Sequence, residues 1–475
     1  MTELSLSEAH VRASSSNDVY RAIWRWHFYA GLIAIPFLII LAVTGSLYLF
    51  RDEIDGTFFA HRNVVAAQIG EGLSASALVG DAEDAVPGGR ASAFREPKGP
   101  EASARVTLKT GKGKTYVFLD PSSGAVLGHV RKVDEFNEVV RKVHSLDYFG
   151  AYANRVMEAI AGFAVILVVT GLYLWWPRGK KGGVVTVRGV PRQRLFWRDM
   201  HAVTGAFSGI LIAFLAISGL PWSTVWGGQL TAITTATGIG YPAALWDNVP
   251  VSDEHARHAM DKVGWTLEAT PMPMSSMPGM TAATAPSKAP SPAAPASTAP
   301  QPIGIDAALA IARSAGISPG FEMTLPSNAT GVYTAAIFPD DLEKQRTIHI
   351  DQYRGKSLVD IAYADYGGAA KAIELGINLH LGQEFGLANQ LLMLATCLAI
   401  ILASVSAVVM WLKRRPDGRL GVPPYPISRS VYPMLWAIVV VLGIALPLSG
   451  ALILAMLAVD LIVVRRVPWL RRRMT

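Results

Sequence analysis

The sequence predicts an α-helical integral membrane protein of about six transmembrane helices, with two small α+β domains in an internally duplicated arrangement. Three observations predict it. Of 475 residues, 51% are hydrophobic and 17% charged, against about 25% charged in ordinary soluble chains. Long uncharged apolar runs recur, as helices crossing a hydrocarbon core require. A unit of span, outside domain, span occurs twice.

The elements follow in order. Residues 1–22 form a polar N-terminal tail and 23–50 the first span. That apolar run is too long for a cleaved signal peptide, and no small-x-small site follows it, so it reads as a retained anchor. Residues 51–145 form the first outside domain, 146–177 the second span, 178–200 a basic loop and 201–226 the third span. Residues 227–386 form the second outside domain, with a loop over 270–302 so rich in Met, Pro and Ala that it is expected to be disordered. The fourth span is 387–412, followed by a loop over 413–430. The stretch 431–464 is too long for one helix at 1.5 Å rise per residue. Pro447, Ser449 and Gly450 interrupt it, so it reads as a fifth and sixth span in a hairpin, ahead of a basic tail over 465–475.

Lys and Arg set the sidedness. The loop after span two carries Arg178, Lys180, Lys181, Arg188, Arg192, Arg194 and Arg198 against Asp199. Lys413, Arg414, Arg415 and Arg419 follow span four, and Arg465, Arg466, Arg471, Arg472 and Arg473 lie in the tail. All three groups fall on one side if both termini are cytoplasmic. The expected location is a bacterial inner membrane with two periplasmic domains. The net charge of +7 is then a matter of topology, and no nucleic-acid partner is expected.

The duplication is legible residue by residue. Trp24-Arg25-Trp26-His27 opens span one, and Trp197-Arg198-Asp199-Met200-His201 opens span three. Gly45 and Gly219 each lie 18 residues after those histidines. His144 and His380 precede spans two and four, with Phe149-Gly150 and Phe385-Gly386 at the same offsets, then Asn154 and Asn389. Alternating runs at 115–120 and 346–351 lead into turns with Gly124 and Gly355, each read as a hairpin whose glycine takes positive φ. The last two spans have no counterpart.

A single cysteine, Cys397, excludes an intrachain disulfide, c-type haem attachment and a four-cysteine cluster. The chemistry therefore falls to histidine. Four of the ten histidines, His27, His144, His201 and His380, sit at span ends. The topology places His27 and His201 towards one face and His144 and His380 towards the other, each pair drawing one member from each repeat. A lone interfacial histidine is usually an anchor. Four at repeat-equivalent positions form a pattern, because ionisable groups at membrane depth need partners. Two neutral imidazoles suit a six-coordinate b-type haem iron. Gly31, Gly45, Gly162, Gly171, Gly205, Gly209 and Gly219 offer the small residues that a slot between helices needs. Weaker candidates are His255 with His258, and Met272, Met274, Met277 and Met280, whose soft thioethers suit Cu(I). No dinucleotide fingerprint, P-loop or H-E-x-x-H occurs.

The W-R-W-H-F-Y-A-G-L stretch at Trp24–Leu32, T-G-L-Y-L-W-W-P-R at Thr170–Arg178 and V-H-S-L-D-Y-F-G at Val143–Gly150 resemble the PepSY-associated transmembrane helix family. The resemblance covers roughly residues 20–415. It departs at Ser404-Val405-Ser406, where a T-G pair is expected, and in the two added spans and the Met/Pro loop. The family includes iron-regulated membrane proteins and ferric-siderophore reductases with two b-type haems. The resemblance implies that His27, His201, His144 and His380 are the haem ligands and that both outside domains are periplasmic PepSY-like domains. The expected function is electron transfer from a cytoplasmic reductant or quinol, through two bis-histidine haems b, to a ferric siderophore or another periplasmic metal complex. The alternative is a non-catalytic copper-binding or regulatory membrane protein that uses its PepSY-like domains and the Met-rich loop.

Overall fold

The computed structural model describes residues 3–67, 70, 72–178, 182–245, 249–252, 301–427, 432–464 and 466–474. The chain divides into two compact units. One comprises Met1–Glu53, Asp134–Tyr241 and Gly367–Thr475; the other comprises Ile54–Val133 and Pro242–Tyr366.

The second unit is built on one sheet. Its helices are α1 (Ala75–Ala85) and α2 (Gly304–Ser314). Its strands are β1 (Arg90–Arg95), β2 (Ala104–Thr110), β3 (Gly113–Leu119), β4 (Val126–Arg131), β5 (Glu322–Thr324), β6 (Val332–Ile337), β7 (Arg346–Asp351) and β8 (Ser357–Ala362). They form an eight-stranded sheet in the order β4-β3-β2-β1-β5-β6-β7-β8. The expectation of two separate small domains is corrected here: β1 pairs with β5 through Ala93↔Thr324, Phe94↔Met323 and Arg95↔Glu322. Each half still runs helix, then four strands. Alternation selects the core face. Ala104, Val106 and Leu108 of β2, Val117 and Leu119 of β3, and Ile348 and Ile350 of β7 pack with Leu78 and Ala82 of α1 and with Ala308, Leu309 and Ala312 of α2. Both expected hairpins form, with Gly124 at φ 74° and Gly355 at φ 66°. At the join, Glu322 meets Arg105 at 3.0 Å and Arg95 at 3.6 Å. Burial raises the affinity of the Glu322 carboxyl for its proton, but the two guanidiniums outweigh it and hold its pKa below the usual range.

The first unit is helical. Its main helices are α3 (Glu3–Leu49), α4 (Phe136–His144), α5 (Ala151–Trp175), α6 (Arg194–Gly219), α7 (Gly368–His380), α8 (Leu387–Leu412), α9 (Tyr432–Ala445) and α10 (Pro447–Ala458). Five stretches among the described residues are long and apolar enough to cross a membrane: Asp18–Leu49, Tyr152–Trp175, Arg194–Trp222, Leu387–Leu412 and Pro447–Val464. Tyr432–Ala445 is a shorter apolar helix. The break between the last two falls at Leu446, with Pro447 opening the next helix, as the interrupted run predicts. A proline is tolerated there because the first turn has no intrahelical use for its missing N–H.

Helices α3 and α6 each pack against both α5 and α8, closing a ring of four. Helix α10 packs on α5. Ala30 and Ala34 of α3, Ile160, Phe163 and Ile166 of α5, Val439 of α9 and Ile453 of α10 form one buried cluster. The terminal helices are therefore integral to the packing.

Several predicted boundaries shift. Helix α3 runs unbroken from residue 3, so the expected 1–22 tail is helical over its described length. Helix α6 begins at Arg194, inside the expected 178–200 loop, which puts His201 about two turns into the helix. Long Arg side chains allow such an extension, since their apolar stems pack while their heads stay wet. The helices that end in His144 and His380 belong to the helical unit, not to the outside domains at 51–145 and 227–386. Most of the 270–302 loop lies outside the described residues.

Candidate functional site

The four span-end histidines come together as two pairs. The imidazole centroids of His27 on α3 and His201 on α6 are 6.2 Å apart with planes at 79°. Those of His144 at the end of α4 and His380 at the end of α7 are 6.4 Å apart at 87°. Each pair joins one of the two more N-terminal histidines to one of the two more C-terminal ones.

Hydrogen-bond accounting fixes which ring nitrogen is free. His27 Nδ1 lies 2.9 Å from Thr170 Oγ1. The Thr170 hydroxyl donates to the Ile166 carbonyl at 2.6 Å, so its oxygen accepts from His27 Nδ1–H. The same arrangement holds at His144, where Thr44 Oγ1 is 2.9 Å from Nδ1 and donates to Ile40 O. It holds again at His380, with Ser218 Oγ at 2.9 Å donating to Phe214 O. His201 Nδ1 donates to the Ala403 carbonyl at 2.9 Å. All four rings thus donate at Nδ1, the tautomer that in the neutral imidazole leaves the Nε2 lone pair available. A hydrogen bond at the far ring nitrogen orients a metal-binding imidazole in this way.

The residue after each hydroxyl is glycine, and it makes room for the ring. A methyl at Gly171 would stand 3.3 Å from His27 Cε1, one at Gly45 3.4 Å from His144 Cε1, and one at Gly219 3.7 Å from His380 Cε1. Of the other glycines singled out, Gly162 meets Ser449 of α10, Gly209 meets Val168 and Gly31 meets Leu167, while Gly205 faces open space.

The outer pair sits on helix ends that are held by asparagine. Asn154 Nδ2 donates to Ser145 O at 3.1 Å, and Asn389 Nδ2 donates to Leu379 O at 3.0 Å. Two residues beyond each histidine the chain turns through positive φ, at Gly382 (73°) and at Leu146 (59°). For Leu146 this conformation is strained by roughly 1–2 kcal/mol. It persists because the side chain is buried.

A cavity of about 480 Å³ adjoins the inner pair. Leu, Ile, Val, Ala, Gly and Trp residues form most of its wall, and Arg194, Arg198 and Arg414 also line it.

The donor set discriminates between metals. Among the described residues no group of three or more His, Cys, Asp or Glu could hold a metal ion. A bare zinc ion needs three or four protein ligands. An iron whose equatorial positions are filled by its own macrocycle needs only two axial ones. The spacing fits as well: a metal–nitrogen bond of about 2.0 Å on each side, added to the radius of each ring, puts the centroids about 6 Å apart. The residues therefore fit a bis-imidazole haem at both pairs.

His349 shows the contrast. Its Nε2 donates to Ala244 O at 2.7 Å, and its Nδ1 accepts from Thr334 Oγ1 at 2.9 Å. Both nitrogens are occupied, so it is a structural histidine. Met272, Met274, Met277, Met280, His255 and His258 lie outside the described residues.

Sequence reasoning missed Thr44, Thr170, Ser218 and the Ala403 carbonyl. The first three carry a signal, a hydroxyl residue followed by glycine. The fourth carries none. The family described as the PepSY-associated TM region matches residues 24–414, and the chain belongs to it. No curated protein matches the sequence. Helices α9 and α10 lie beyond the matched region.

Proposed function

We propose that this member of the PepSY-associated TM family is a membrane electron-transfer protein with two haems b, one held by His27 and His201 and the other by His144 and His380. It carries electrons from a cytoplasmic reductant or quinol to a periplasmic acceptor, Fe(III) in a siderophore. The observation that carries the reading is the paired geometry: two cross-repeat imidazole pairs, each at an axial-ligand separation with Nε2 free. A bis-imidazole haem supplies a one-electron carrier with no open coordination position, suited to transfer rather than oxygen binding.

The chain's own residues do the rest. Thr170, Thr44, Ser218 and the Ala403 carbonyl fix each tautomer and ring orientation. Gly171, Gly45 and Gly219 let the rings approach the neighbouring helix. The cavity beside the inner pair is walled mostly by apolar side chains. The sidedness is supported by the excess of Lys and Arg after spans two and four and in the tail. In this reading the location is a bacterial inner membrane, with the sheet unit in the periplasm. Reduction of a hard-oxygen chelate of Fe(III) weakens its hold on the metal. Such outer-sphere transfer demands no acid, base or nucleophile.

The test is a dithionite-reduced minus oxidised spectrum of purified protein, with haem quantified per chain, followed by mixing the reduced protein with a ferric siderophore. The expectation is about two low-spin b-type haems per chain, reoxidised by the chelate. Protein that remains colourless after expression with ample haem contradicts the reading.

A further inference from the structure

We propose that Arg194 and Arg414 bind the two carboxylates of the tetrapyrrole seated in the cavity beside His27 and His201. The inference rests on the haem reading and deepens it, by naming what holds the acidic edge of the ring.

The cavity is one-sided in charge. Every charged residue that lines it is an arginine, and no Asp or Glu lines it. Arg198 is committed to Asp199, with Nη2 to Oδ1 at 2.5 Å. Arg194 and Arg414 have no carboxylate partner among the described residues. Arg414 is held in place: its guanidinium lies over the Trp24 ring at 5.0 Å and the Phe28 ring at 5.6 Å, and Nη2 donates to the Gly421 carbonyl. It is half-buried, and burial together with the nearby charge of Arg194 pushes its pKa down. Two guanidiniums near enough to repel each other in the lining of one cavity, one of them half-buried, are unfavourable until an anion joins them. Apart from Arg198, the two histidines, Tyr20 and Ser404, the rest of the wall is apolar. A flat hydrocarbon ring with two carboxylates on one edge matches both halves of this lining, and the guanidinium fork suits carboxylate oxygens. A lipid phosphate shares the anionic chemistry, so the experiment must separate the two.

The experiment uses the full chain in detergent, as wild type and as the Arg194→Gln/Arg414→Gln double variant. Haem per chain, the rate of haem loss to excess apomyoglobin, the midpoint potential of each haem and copurifying phospholipid are measured. We expect one of the two haems to be released at least about tenfold faster, with a lowered midpoint potential because cationic charge near the iron is removed. The haem at His144 and His380 should keep its potential, which also reports that the variant is folded. If the double variant does not accumulate, Arg194→Gln alone, at an exposed side chain, is read the same way. Unchanged release and potentials overturn the inference. So does unchanged haem with loss of a bound phospholipid, which assigns the arginines to a headgroup. Absence of haem from the wild type is a different failure, that of the functional reading itself.

Discussion

Three of the four paired histidines lean on a side-chain hydroxyl, and one leans on the main chain. Thr170, Thr44 and Ser218 accept from His27, His144 and His380. At the fourth site the sequence reads Ser404-Val405-Ser406 with no hydroxyl-glycine pair, and His201 donates to the Ala403 carbonyl instead. What the site requires is an oriented acceptor within reach of Nδ1, not a particular residue. Where the hydroxyl-glycine pair is lost, a helix carbonyl with a spare lone pair replaces it. The two solutions differ in one testable respect: a hydroxyl is removed by mutation, and a carbonyl is not.

A second difference separates the inner histidines and carries the largest expected effect. Two residues before each lies a buried charge of opposite sign. Arg25 pairs with Asp460 at 2.6 Å, both nearly fully buried, and Tyr29 and Tyr425 donate to the same carboxylate. Asp199 pairs with Arg188 and Arg198, which are 40% and 44% exposed. Asp460→Ala strands a buried guanidinium and should destabilise by about 3–5 kcal/mol. Replacing either exposed arginine beside Asp199 should cost less, since the other remains. Thermal melts of the detergent-solubilised variants measure both, and equal losses would erase the distinction.

The next effect is steric. Gly171→Val puts side-chain carbons against the His27 ring and should destabilise the site by about 1–3 kcal/mol, seen as loss of one haem per chain. Gly219→Ala, at the loosest of the three contacts, should be mildest. Smaller again is removal of the hydroxyl. Thr170→Val removes the acceptor of His27 Nδ1–H and should weaken haem retention by about tenfold at its own pair; Thr44→Val and Ser218→Ala should do less, because the Leu41 and Leu215 carbonyls also lie within reach of His144 and His380. Ser404→Ala should change nothing, because His201 does not use that side chain. A clear loss in Ser404→Ala, measured by haem transfer rate, would falsify the carbonyl assignment.

The smallest effect concerns His349. Burial lowers its pKa below the ordinary 6.5, against the opposing Ala244 carbonyl. A depressed pKa contributes stability that is complete above the unfolded value and is lost as pH falls through the folded one. Stability should therefore decline as pH drops below about 6.5, and His349→Gln should flatten that slope. A slope unchanged by the substitution contradicts the assignment.

Much of this architecture is legible in the sequence because it is local. Continuous apolar runs mark the spans, alternation and a turn glycine mark both hairpins, and the repeat offsets align the histidines. What is illegible depends on distant partners or on the backbone. The β1–β5 pairing joins segments far apart in the chain, and nothing in Phe94 or Met323 names the other. The Arg25–Asp460 pair ties the family-matched region to a terminal segment that looks appended. The Ala403 carbonyl has no letter at all. The hydroxyl-glycine dipeptides lie between these cases: present in the sequence, but readable only once the opposing ring is seen.

The most direct test of the central claim is EPR of the oxidised protein with haem counted per chain, in the wild type and in His380→Ala. The near-perpendicular imidazole planes predict two strongly anisotropic low-spin signals of the large-g type. His380→Ala should lose one haem and one signal and leave the other intact. Loss of both haems from a folded variant, or signals of the rhombic type given by parallel planes, would contradict two independent cross-repeat pairs.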